Sequence, residues 1–301
     1  MPATLVELSP YDPVSAAVVV LRATTDDDPR VCDLNGQSWF PVLLKAGSYA
    51  LDCFDASFPG FAAAPTARIE LDLSAFPDAA RYSWGDRAAT VRAAEPGTAW
   101  PWPVLFQGLI RDATVKNGRI VVQLGFDDAW LDRPVLATYA GTGGIEGPAA
   151  LKGVPKPLAL GAPKYVAPVL IDATNSIYQF HGYGSARAVT AALDRLVRYG
   201  SAAGDDANFA ALAGASIPRG QWRTCLAQGL VRFGAPPEGP LTLIVEGDNG
   251  TGAGWVRRAG ALITRVAGLA GATGGQLDSA NLSALDTAAP YNLSLYQATQ
   301  V

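Results

Sequence analysis

Apolar positions along the chain fall mostly into short runs separated by turn residues. The first, VSAAVVVLRAT over residues 14–24, is continuous and β-branched, bounded by Pro13 and the acidic turn Asp26–Pro29. Such a run predicts a strand buried on both faces. Residues 39–44 and 49–54 flank Lys45-Ala46-Gly47-Ser48, the pattern of a hairpin. Ala67–Leu73 alternates strictly, with Ile69, Leu71 and Leu73 on one face, and Thr90–Ala93 is a weaker strand. The strongest hairpin signal lies between Val104 and Phe126. Val104–Val115 and Arg119–Phe126 stand on either side of Lys116-Asn117-Gly118, and Asn-Gly supplies the positive φ values of a type I′ turn. Ile120, Val122, Leu124 and Phe126 then alternate with Arg119, Val121, Gln123 and Gly125, as in a half-buried antiparallel strand. The first half is predicted to be all-β, an antiparallel barrel or sandwich of about seven strands.

The pattern breaks at Gly141–Phe180, GTGGIEGPAALKGVPKPLALGAPKYVAPVLIDATNSIYQF. Proline removes a donor and fixes φ, and glycine permits positive φ, so this run is not a helix. It reads as an ordered connector carrying two short apolar stretches, Leu158–Leu160 and Val166–Ile171. Beyond it the signals mix. Ala186–Leu193 and Leu196–Tyr199 flank Asp194-Arg195 and read as a hairpin, with helix the competing assignment because Val189, Leu193, Leu196 and Val197 also fit a 3.6-residue period. Asp205–Gly214 reads as a short helix with Asp caps and a terminal glycine. Gln221–Phe233 and Pro240–Glu246 read as strands. Thr251–Leu269 reads as the clearest helix, with Trp255, Ala259, Leu262, Ile263, Val266 and Leu269 on one face, and an amphipathic turn follows at Ala280–Leu285. The expected organisation is mainly β with a smaller α+β part: an all-β barrel or sandwich domain over 1–140, a Gly/Pro-rich connector over 141–165, and an α+β domain over 166–301 with two short-to-medium helices.

Composition supports this. Glycine and proline together make up about 18% of the 301 residues, against a usual share of about 12%, as many short strands and tight turns require. The net charge is −4 and no basic block appears, which argues against direct nucleic-acid binding. Cys32, Cys53 and Cys225 are odd in number and far apart, the mark of reduced thiols. The N-terminus shows no signal-peptide pattern, and Val14–Leu21 is far shorter than the roughly 20 residues that span a bilayer. A soluble protein made in the bacterial cytoplasm, without stable membrane insertion, is expected.

Candidate chemistry is sparse. His181 is the only histidine, no GxSxG supplies a nucleophile, and one histidine with scattered cysteines does not make a standard zinc site. Gly141–Gly147 leads into Pro148 rather than into a helix, so it lacks the geometry of a dinucleotide loop. Gly247–Gly254 runs from a strand toward a helix but lacks the Lys-Ser/Thr of a P-loop; a plain junction capped by Thr251 or Asp248 is expected. The adjacent pairs Asp127-Asp128 and Asp205-Asp206 read as solvated element ends, and Asp26-Asp27-Asp28 lacks the ligand spacing of a calcium loop. Trp100-Pro101-Trp102-Pro103 offers either a sugar-stacking platform or an aromatic edge buried in a subunit contact. No enzyme, no cofactor and no metal is expected. Trp100, Trp102, Asn117, Gly118, Lys152, Pro155 and Pro157 are the candidate assembly contacts.

The wording of residues 141–179, GTGGxEGxxxLKGxPKPxxxG followed by VAPVLIDAxxxIYQ, resembles the baseplate hub or tail-tip proteins of long-tailed, siphovirus-like phages and of related prophage and gene-transfer particles. The likeness extends to Asn208–Leu212 with Ile217-Pro218-Arg219-Gly220, to Thr224–Val245 and to Gly247-Asp248, and is strongest between 141 and 247. The resemblance implies a structural virion protein at the tail tip, built of β-barrel-like domains. It implies a ring, a trimer or hexamer of the chain itself. It also implies contacts to the tail tube, a distal-tail protein, a central fibre or spike and the tape measure. A distal-tail ring protein beside the hub, a carbohydrate- or receptor-binding tail module, and a cell-wall hydrolase are the alternatives; the last would need acid–base residues that the chain does not display.

Overall fold

Strands dominate both halves of the computed structural model, which describes residues 2–47, 67–127, 130–250 and 254–299. The chain divides into two units, Met1–Asp128 and Ala129–Val301. In the first, seven strands form one antiparallel sheet: β1 (Ala3–Leu8), β2 (Leu21–Thr24), β3 (Leu43–Lys45), β4 (Ala67–Asp72), β5 (Arg87–Ala94), β6 (Val104–Lys116) and β7 (Arg119–Gly125), in the order β2-β1-β5-β6-β7-β4-β3. The sheet nearly closes into a barrel through the residues before β3. Thr24 N donates to Phe40 O and Phe40 N to Arg22 O, while Asp72 N donates to Val42 O on the other side. The alternation seen in the sequence is the inward face: Ile69, Leu71, Ile110, Ile120, Val122 and Leu124 are fully buried with Val6, Leu8, Val91 and Trp84.

The run 14–24 is only partly the strand expected. Its first half turns back as a two-residue hairpin, Tyr11–Asp12 against Ala17–Val18, and pairing with β1 begins at Leu21. Asp12 dictates this. Its buried carboxylate accepts from Val14 N, Ser15 Oγ and the guanidinium of Arg81, which holds it far below the usual carboxylate range. The turn so fixed leaves Val14 75% exposed, and Val18 and Val20 are exposed as well. The hairpin predicted at 39–54 has its first arm in β3; its second arm lies outside the described residues.

In the second unit, β8 (Leu158–Leu160), β9 (Val169–Asp172), β10 (Ile177–Gln179), β11 (Ala186–Asp194), β12 (Val197–Arg198), β13 (Ser201–Asp205), β14 (Gln221–Cys225), β15 (Leu230–Phe233), β16 (Leu241–Asp248) and β17 (Leu295–Gln297) form three small sheets, β9-β10-β15-β14-β13, β12-β11-β16 and β8-β17. The third joins the second: Gly247 N donates to Gly161 O and Val245 N to Pro163 O. The β11–β12 hairpin settles the helix-or-strand ambiguity in favour of strand. The Gly/Pro-rich run is folded into this unit. Thr138 bridges to Pro155, Tyr139 exchanges backbone bonds with Gly153 and Val154, and Ile145, Leu151 and Val154 pack with Tyr139, Ile177 and Leu212.

The helices differ from expectation in their ends. The short helix is Phe209–Gly214, capped by Asn208 Oδ1 rather than by an aspartate; Asp205 instead ends β13 and accepts from Thr224 Oγ1 and Leu226 N. The long helix is Ala259–Ala270, so Trp255 and Val256 lie before it; residues 251–253 of the expected span lie outside the described residues. The backbone at Val256 is engaged sheet-fashion, its N donating to Asp248 O and its O accepting from Gly161 N, so helical pairing cannot begin earlier. The turn at Ala280–Leu285 is a longer helix, Ser279–Ala288, with Asp278 as its cap.

Candidate assembly site

The sequence candidates scatter over both units, and the structure sorts them by exposure. In the first unit, β6 and β7 make the long hairpin with Asn117 at φ 52° and Gly118 at φ 74°, the type I′ turn predicted. A Cβ on Gly118 would meet nothing within 4 Å, so the tip is open and the glycine serves conformation alone. Below it, outward-facing side chains of β4, β7 and β6 line a shallow polar recess: Arg68, Glu70, Asp112, Lys116, Arg119 and Gln123. Glu70 accepts from Arg119 at 3.0 Å and pairs with Lys45 at 3.3 Å, and these cations hold its carboxyl below the usual range.

The Trp-Pro-Trp-Pro segment is not a platform. Trp102 is 1% exposed and packs with Ala3, Leu5, Val31 and Trp39, its indole N–H donating to Thr98 O. Trp100 remains half-buried, covered on one face by the Arg92 guanidinium at 5.2 Å. Trp102 therefore offers no side chain to a partner or a sugar, because burying it completes the core beneath β1. Of the three connector candidates, Lys152 is exposed, Pro155 is half-buried in its bridge to Thr138, and Pro157 is buried, its carbonyl accepting from Gly182 N. Pro157 is thus withdrawn as a contact. The ordering ion pair of this segment is Lys156–Glu146 at 2.5 Å, which holds Glu146 below its ordinary value.

The most closely knit polar group is one the sequence did not assemble. His181, 0% exposed, lies just beyond β10. Its Nδ1 accepts from Ala159 N of β8 at 3.3 Å, and its Nε2 faces Asp248 Oδ2 at 3.7 Å. Asp248, equally buried, accepts from Arg265 Nε at 2.7 Å and from Gly250 N at 2.6 Å, and Arg265 also donates to Tyr183 O. Gly229 makes the close approach possible, since a Cβ there would stand 2.0 Å from the His181 carbonyl oxygen. Burial drives the imidazole pKa down to about 4, and the Arg265 charge adds to this, while Asp248 opposes it. At neutral pH His181 is uncharged and carries its proton on Nε2. The group ties β8, β10, β16 and the helix Ala259–Ala270 together. The signals available in the sequence were a lone histidine and an aspartate ending an otherwise apolar alternation.

Other motifs resolve structurally. In Gly247–Gly250, Asp248 is taken up in the ion pair and its carboxylate turns Gly250 N inward; residues 251–253, with the expected cap Thr251, lie outside the described residues. Asp205 and Asp206 point apart, the latter in a bidentate pair with Arg223. Asp28 caps the one-turn helix Pro29–Cys32. Asp127 is described and Asp128 is not. Among the described residues no group of three His, Cys, Asp or Glu is placed to hold a metal, and no helix is long and apolar enough to cross a membrane.

No family model and no curated protein matches the chain. Among solved structures it is similar to a chain described as "Virion of native gene transfer agent (GTA) particle", at 14% identity, over 82% of this chain and 80% of that one. The TM-score is 0.31.

Proposed function

We propose that the chain is a non-catalytic structural component of a phage-like tail tip: a baseplate hub that forms a ring at the distal end of the tail tube and joins it to fibre or spike proteins. The observation that carries this reading is the string of turn residues over 141–180 and 224–248. Its wording resembles the hub family, and its glycines and prolines each hold a defined place in the second unit. Gly141, Gly143, Gly144 and Gly147 all take positive φ, and the segment they shape packs onto the Tyr139–Leu212 core. A barrel with a charged, open hairpin face is consistent with subunit contacts made through strand edges and loop tips. Burial of Trp102 counts against the carbohydrate-binding alternative, since it removes the second ring of the platform.

The hairpin tip is the assembly contact this reading selects. Gly118→Val forces a β-branched residue into the left-handed region, at about 1–2 kcal/mol, without touching the barrel core. The expected outcome is a folded chain with an unchanged far-ultraviolet spectrum whose incorporation into particles falls several-fold. Incorporation equal to that of the unaltered chain would remove the tip from the assembly surface.

A further inference from the structure

Asparagine is followed by glycine three times in this chain, at Asn35-Gly36, Asn117-Gly118 and Asn249-Gly250. The pair carries a chemistry of its own. Because glycine has no Cβ, its backbone nitrogen can approach the Cγ of the preceding asparagine and close a five-membered ring on it. The fold must supply two things: a glycine N–H that can lose its proton, and room for the ring to form.

The first two pairs have both. Asn35 (φ 57°) and Gly36 (φ 66°) join Asp33–Leu34 to Gln37–Ser38, and Asn117 (φ 52°) and Gly118 (φ 74°) join β6 to β7. All four residues are exposed, and a Cβ on either glycine would meet nothing within 4 Å. Among the described residues nothing accepts from Gly36 N or Gly118 N. The bond that reaches the longer tip, from Leu73 N, engages the Gly118 carbonyl at 2.9 Å and leaves the N–H open. Ring closure swings the asparagine ψ out of the turn. Each tip opens that far by local fraying, since the core resumes only at Trp39 after the first and at Ile120 after the second.

The third pair is held. Gly250 N donates to Asp248 Oδ1 at 2.6 Å, Asn249 N donates to Ser185 O at 2.9 Å, and both residues are half-buried. The Asp248 carboxylate is itself fixed by Arg265. A carboxylate on the glycine N–H occupies the group and disfavours the amide anion that the attack needs.

We propose that Asn35 and Asn117 are sites of spontaneous deamidation and that Asn249 is protected from it by Asp248. At each reactive site base removes the glycine N–H proton, the nitrogen attacks Cγ, the Cγ–Nδ2 bond breaks and ammonia leaves. Water then opens the succinimide at either carbonyl, giving aspartate or isoaspartate. One water enters, one ammonia departs, and nothing is oxidised or reduced. Aspartate keeps the turn, since Asp-Gly also suits a type I′ hairpin. Isoaspartate instead adds a carbon to the main chain at the tip. Either product carries a new negative charge, at 117 beside the exposed Lys116.

The test is peptide mapping by mass spectrometry of the full chain, kept folded for days at neutral and at mildly alkaline pH, with enzymatic methylation of isoaspartate as a second readout. The peptides holding Asn35 and Asn117 are expected to exchange amide for acid, several-fold faster at alkaline pH, while the Asn249 peptide lags several-fold behind both. In urea the three are expected to react at similar rates, because the fold alone separates them. Asn249 modified as fast as the turn asparagines in the folded chain overturns the proposal. So do turn asparagines that stay intact in the folded chain while the urea-unfolded chain reacts.

Discussion

Replacing Asp248 by alanine destabilises the second unit by about 3–5 kcal/mol, the range for removing one partner from a buried ion pair. The carboxylate is 1% exposed and accepts from two groups, Arg265 Nε at 2.7 Å and Gly250 N at 2.6 Å, while His181 Nε2 lies 3.7 Å away, beyond hydrogen-bond reach. Without it Arg265 keeps only the Tyr183 carbonyl, and a guanidinium that is three-quarters buried is left without a counter-charge. Asp248→Asn keeps an acceptor for Gly250 N but loses the charge, so its cost falls between wild type and alanine. Hydrogen exchange along Leu158–Leu160 and Leu241–Asp248 reads the effect where it arises. Equal protection in wild type and Asp248→Ala would show that the network contributes no stability.

The second large effect is acid sensitivity, and His181 sets its window. In the unfolded chain the imidazole titrates at its ordinary value of 6.5, and in the folded unit near 4. Between those values the unfolded state holds more protons, so stability rises with pH across the window and is lost as pH falls through it. The full span is worth on the order of 3 kcal/mol for one group. The structural cause is specific. Protonation places a hydrogen on Nδ1, where Ala159 N–H already points, and so opposes the bond that seats β8. His181→Asn retains an acceptor for Ala159 N without a titrating ring; its denaturant stability is expected to be lower at pH 7 but flat between pH 6.5 and about 5, above the range where the carboxylates titrate. The paired carboxylates, Asp12, Glu70, Glu146 and Asp206, lie below their ordinary values of 4.5 for Glu and 3.8 for Asp, so their stabilisation is present above those values and is lost progressively as pH falls below about 5. A His181→Asn chain that retains the wild-type slope would assign the acid loss to other groups.

Local signals were legible where local physics decides. The Asn117-Gly118 hairpin formed as read, because a type I′ turn needs those residues and alternation on both sides fixes the register. The all-β first half and the mainly β class followed from the same signals. The run 14–24 was misjudged because Asp12 and Arg81, distant in sequence, clamp a turn that hydropathy alone does not reveal. The start of the long helix was misplaced because Val256 pairs with Gly161, a contact no 3.6-residue period encodes. The burial of Trp102 and Pro157 and the joining of His181, Asp248 and Arg265 likewise depend on long-range packing.

The proposal that the chain is a tail-tip hub is tested most directly by locating it in purified particles, with immunogold labelling by an antibody raised against the folded protein. The account predicts gold at the end of the tail distal to the capsid, on intact particles or on particles opened at the tip. Gold on the capsid or along the tail shaft, or particles that lack the chain altogether, would contradict it.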